Sequence, residues 1–62
     1  MLVTLTVYHA NRSAKDVYRR LWPSDALAMA NKLITGDARV GWYAAITFKQ
    51  SGNQQTIYIH RQ

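Results

Sequence analysis

DVYRRLWPSDALAMANKLITG, residues 16–36, contains the point at which the chain changes its periodicity. Before Pro23 the segment is short and carries Val17, Tyr18 and Trp22, which favour extended backbone. Ser13 and Asp16 offer the alternative of a capped helix over residues 14–22. Pro23 disfavours helical backbone at Trp22, and a strand over 16–22 is the preferred reading. After Pro23 the pattern is helical. Ser24 has the chemistry of an N-cap, and Asp25 then falls in the first turn, near the positive end of the helix dipole. Ala26, Leu27, Ala30, Leu33 and Ile34 recur at helical spacing, with Met29 on their flank and Lys32 in the last half. Gly36 is the expected left-handed stop, so the helix is predicted over about 24–35. The small Ala26 and Ala30 let such a helix lie close on a sheet.

Outward from this segment the period is two. In LVTLTVYH, residues 2–9, Val3, Leu5 and Val7 alternate with Thr4, Thr6 and Tyr8, as in a half-buried strand. Residues 10–15 are polar and turn-prone, and the chain reverses there. From Arg39 to Lys49, Val40, Trp42, Ala44, Ile46 and Phe48 share one face, opposed by Tyr43, Ala45 and Thr47. Ser51-Gly52-Asn53 is a turn signal, and Gln55–His60 alternates again through Ile57 and Ile59. The last two strands are expected to form a hairpin through a loop near 50–54. The fold class is α+β: a small single domain over 1–62, β-β-α-β-β, an antiparallel sheet with one helix packed on one face. Its expected core is Val3, Leu5, Val7, Leu27, Ala30, Leu33, Ile34, Trp42, Ile46, Ile57 and Ile59.

Composition narrows the function. Sixty-two residues, 48% hydrophobic and 18% charged, make one globular domain with no room for a second. No Cys is present, which removes disulfides, thiolate metal sites and Cys nucleophiles together. A Cys-free chain fits a reducing cytoplasm, and neither a secretory leader nor a membrane-spanning run is read in it, so a cytoplasmic protein with no membrane partner is expected. Eight Lys and Arg against three acids give a net charge of +5, which favours a polyanion or an acidic protein surface.

Catalytic chemistry is hard to assemble from these residues. His9 and His60 lie near the ends of different strands, and two imidazoles without a third ligand make a poor metal site. Asp16 borders a strand, Asp25 is a helix first-turn acid and Asp37 follows the helix. Ser13, Ser24 and Ser51 fall at turns or caps. Gly36, Gly41 and Gly52 form no phosphate-cradling loop. Neither an enzyme nor a cofactor or metal is expected.

The basic and aromatic residues are more informative. Arg12, Lys15, Arg19 and Arg20 are dense, opposed only by Asp16, while Lys32, Arg39, Lys49 and Arg61 are scattered. Guanidinium groups pair well with phosphate or carboxylate. Tyr8, Tyr18, Trp22, Tyr43 and Tyr58 are candidates for an exposed aromatic face that stacks bases or anchors a protein interface. Trp42 and Phe48 fall on the apolar face, as core residues do. The expected binding residues are Arg12, Lys15, Tyr18, Arg19, Arg20, Trp22, Tyr43 and Tyr58.

The element order, with SDALAMANKL at residues 24–33 as its nearest stretch, resembles small phage-encoded proteins. Among these are host-takeover inhibitors of RNA polymerase and some type I anti-CRISPR proteins. The resemblance implies a non-enzymatic inhibitor that occludes the nucleic-acid-binding surface of a larger protein or ribonucleoprotein complex. The positive charge of this chain runs against DNA mimicry. The other reading is a basic DNA- or RNA-binding module whose cations hold phosphates while aromatic faces stack. Edge strands and a small core leave room for a homodimer.

Overall fold

The computed structural model describes residues 1–10, 15–36 and 40–60, excepting the side chains of Val40 and Trp42. Arg12 and the expected core position of Trp42 therefore lie outside the described residues. The elements run β1 (Val3–His9), β2 (Lys15–Leu21), α1 (Pro23–Gly36), β3 (Val40–Gln50) and β4 (Asn53–His60). The expected α+β, β-β-α-β-β fold is what the chain forms. All four strands are antiparallel to their neighbours in one sheet of order β2-β1-β3-β4, so β1 and β3 are central.

The segment before Pro23 is a strand, ending at Leu21. The helix starts two residues earlier than the Ser24 cap implies. Ala26 N donates to the Trp22 carbonyl at 2.9 Å, which makes Trp22 the N-cap. Pro23 is then the first helical residue, where its missing N–H costs nothing and its fixed φ suits the helix. At the other end Gly36 lies inside the helix and does not take a positive φ. The last turn is tied instead by Thr35 Oγ1, which donates to the Asn31 carbonyl at 2.6 Å.

One stripe of the helix, Ala26, Ala30 and Ile34, is fully buried on β1 and β3. These residues are four apart and stack on one helix face. Beneath them lie Val3, Leu5 and Val7 from β1 and Ala44 and Ile46 from β3. Two expected core residues are not there. Leu27 is 49% exposed and Ile57 is 52% exposed. Leu27 stands about 100° round the helix from Ala26, outside the Ala-Ala-Ile stripe. Ile57 sits on β4, the edge strand beyond the helix. Leu33 and Ile59 are half-buried at the rim of the core.

Two irregularities shape the sheet. Between β1 and β2 the register steps from Val3↔Leu21 to Leu5↔Tyr18, so Arg19 and Arg20 together face Thr4. Arg20 takes a left-handed conformation (φ 60°) at this bulge. Between β1 and β3 the register steps from Val7↔Ala44 to His9↔Val40, which places Gly41, Trp42 and Tyr43 opposite Tyr8 alone. The β3–β4 hairpin is regular from Gln50↔Asn53 to Tyr43↔His60. Its turn is tighter than a loop over 50–54: Ser51 (φ 53°) and Gly52 (φ 83°) alone connect the strands. Positive φ at both positions is the two-residue turn whose twist matches the flanking strands.

Candidate functional site

The helix covers one face of the sheet and leaves the other to solvent. Residues directly opposite in an antiparallel pair share a face. Tyr43 pairs with His60 and Ala45 with Tyr58, and both pairs lie opposite the helix side. Tyr8, which pairs with Lys15, completes the set from β1. The rings meet. Tyr8 and Tyr43 have centroids 4.8 Å apart at 31°, Tyr43 and Tyr58 are 6.0 Å apart near edge-on, and the His60 imidazole lies 6.0 Å from Tyr43. Such offset and edge geometries are the favourable ones for aromatic pairs. Tyr43 is the hub of the row, 37% exposed, and Tyr58 is 58% exposed.

Alternation along the strands fills in the rest of this face. Thr4 and Thr6 come from β1, Thr47 and Lys49 from β3, and Gln54 and Thr56 from β4. Lys15 stands beside Tyr8 at one end, and Lys49 lies toward the other. Ala45, opposite Thr6 and Tyr58, is buried although it belongs to the open face, because its short side chain sits below its neighbours. Neither described acid is on this face. Asp25 is on the helix, and Asp16 pairs with Val7 on the helix side. There the Asp16 carboxylate oxygen Oδ2 accepts a hydrogen bond from His9 Nε2 at 3.0 Å. His9 therefore has a local partner. It does not meet His60, from which β3 separates it. Among the described residues, no three His, Cys, Asp or Glu converge as a metal site, and no helix is long and apolar enough to cross a membrane.

The expected binding residues fall in three places. Tyr43 and Tyr58 form the tyrosine row, with Lys15 at its margin. Arg19, Arg20 and Trp22 are exposed at the bulged end of β2 and its junction with the helix, away from that row. Tyr18 is a correction. It pairs with Leu5 on the helix side and is half-buried against the core, so it is not part of an exposed aromatic face. His60 belongs to the row and was readable from its parity with Tyr58 on one strand. A second surface had no clear sequence signal. Leu27, Ile57, Met1, Pro23 and Phe48 line an apolar groove between the helix and β4. Its walls include Leu27 and Ile57, which helical spacing and strand alternation respectively assigned to the core.

No family model, curated protein or solved structure matches the chain.

Proposed function

We propose that this chain is a non-enzymatic binding protein whose open sheet face takes single-stranded nucleic acid. The observation that carries the reading is the contiguous Tyr8–Tyr43–Tyr58 row with His60 beside it. Exposed rings side by side on an antiparallel sheet are a stacking platform for unpaired bases, which a duplex does not present. Lys15 and Lys49 supply phosphate contacts, threonines supply hydroxyls, and neither described acid opposes them. The net charge of +5 adds long-range attraction. The cytoplasm is the compartment that fits this reading.

The test is fluorescence anisotropy with short labelled single strands. Base stacking on an aromatic side chain contributes about 1–3 kcal/mol, so Tyr43→Ala should weaken binding by about 5- to 150-fold. If Lys15 and Lys49 each neutralise one phosphate, the log–log salt dependence should have a slope near −1.4. Unchanged affinity in folded Tyr43→Ala would remove the tyrosine row from the binding site.

A second reading is favoured by the exposed Arg19, Arg20 and Trp22 at the β2 bulge. Arg and Trp are the side chains that dominate protein-binding hot spots. On this reading the chain sets that corner against an acidic surface of a larger protein or ribonucleoprotein complex and occludes its nucleic-acid-binding surface, the role that the resemblance to phage-encoded inhibitors implies. The double substitution Arg19→Ala/Arg20→Ala should move stability by only about 0.5 kcal/mol. It should abolish capture of a protein partner from nuclease-treated host lysate. Capture that vanishes with nuclease alone would leave the single-strand reading in place.

A further inference from the structure

We propose that two copies of this chain pair edge to edge along β4, antiparallel and about a two-fold axis perpendicular to the sheet. The sheet has two outer strands, and they are treated differently. Outer strands present unpaired backbone N–H and C=O groups, and proteins guard them with charges, prolines or bulges. β2 is guarded in this way: it carries Lys15, Asp16, Arg19 and Arg20 and is bulged where Arg20 turns left-handed. β4 has none of these devices. From Asn53 to Ile59 it contains neither a charged residue nor a proline, and its register with β3 is unbroken.

The chemistry of β4 selects a second copy over a foreign strand. A chain of net charge +5 repels its own kind, but Asn53–Ile59 is a stretch along which two copies can meet without a Lys or Arg in the ladder. A charged foreign peptide would find nothing on β4 to pair with. The edge is also self-complementary. Pairing centred on Ile57 sets Ile57 against its own copy, Thr56 against Tyr58 and Gln55 against Ile59, so every side chain keeps its face. Ile57, 52% exposed, then finds an apolar partner. The groove it shares with Leu27 closes against the groove of the other copy. A perpendicular two-fold puts both helices on one side of the joined sheet and both tyrosine rows on the other. The dimer stands on this edge chemistry and is independent of what the tyrosine row binds.

Sedimentation equilibrium of the full chain tests it. The wild type should sediment at twice the chain mass. Ile57→Lys should sediment at the chain mass while keeping its circular dichroism, since Ile57 is outside the core. Val17→Lys, at an exposed position on β2, should leave the dimer intact. A wild type that stays at the chain mass up to millimolar concentration overturns the proposal. So does a dimer that Val17→Lys breaks and Ile57→Lys does not. Should Ile57→Lys fail to fold, hydrogen exchange of the wild type decides. Protection of β4 amides that rises with protein concentration supports the seam, and protection independent of concentration rejects it.

Discussion

Leu5→Ala should remove about half of the chain's stability. Leu5 is fully buried on the central strand β1, beneath the helix and between Tyr18 of β2 and Ile46 of β3. Removing a buried leucine side chain costs about 2–5 kcal/mol, from lost transfer energy and the cavity left behind. A domain of this length has only about 3–9 kcal/mol of stability in total. The site collapses poorly, because the helix residues above it, Ala26 and Ala30, are too short to fill the space. Urea titration followed by circular dichroism would measure the loss. A destabilisation under about 0.5 kcal/mol, the range of surface changes, would mean that Leu5 does not anchor the core. Leu33→Ala, at the half-buried rim, should cost less than Leu5→Ala in the same titration.

Gly41→Ala should be nearly as damaging, although it adds only one carbon. Gly41 is buried, and a Cβ there would sit 2.9 Å from the Tyr8 carbonyl oxygen and 3.4 Å from that of His9. Both obstacles are backbone, so a rotamer change cannot relieve them. Either β1 and β3 separate or the bulge opposite Tyr8 is redrawn. Overpacking of this kind costs about 1–3 kcal/mol. At about 4–8 °C per kcal/mol for a domain of this size, the thermal midpoint should fall by roughly 4–24 °C. Redrawing the bulge also moves Tyr8 off Tyr43, so if the tyrosine row binds single strands as proposed, their affinity should fall in whatever protein remains folded. A melting temperature within about 2 °C of wild type would show that the two strands have room to spare.

The alternation of Val3, Leu5 and Val7 was a sound guide to burial because β1 is central and the helix lies over it. The same alternation in β4 misled at Ile57. Parity tells which face a side chain is on, and coverage of that face depends on strand order, which is a long-range property. Leu27 failed for a related reason. The apolar stripe in the sequence is wider than the contact a single helix makes, and alanines took the inner positions. Tyr18 was assigned to the exposed aromatic face because β2 has adjacent Val17 and Tyr18 and no clean alternation to place it; pairing with Leu5 puts it on the helix side. Of the site, Tyr43 and Tyr58 were legible as outward residues. Their contact depends on the register of the hairpin, which the connection through Ser51 and Gly52 sets so that Tyr58 lies opposite Ala45. The convergence of Tyr8 on the same spot depends on the bulge at Gly41, for which a lone glycine between Val40 and Trp42 is the only trace.

The strand order β2-β1-β3-β4 also sets a timetable for folding. Each outer pair is local: β1 reaches β2 through a short connection, and β3 turns directly into β4. Hairpins close in about 1–10 μs. The seam between β1 and β3 joins residues separated by the whole helix, with Leu5 meeting Ile46. Its loop-closure entropy must be met before those contacts form. The expected slow event is thus the docking of two preformed hairpins, with the helix settling over the join. Under this scheme a lesion at the seam, such as Gly41→Ala, appears in the refolding arm of a chevron plot. A lesion confined to one hairpin would also slow refolding, because that hairpin is already formed when docking occurs, and would leave the unfolding rate nearly unchanged.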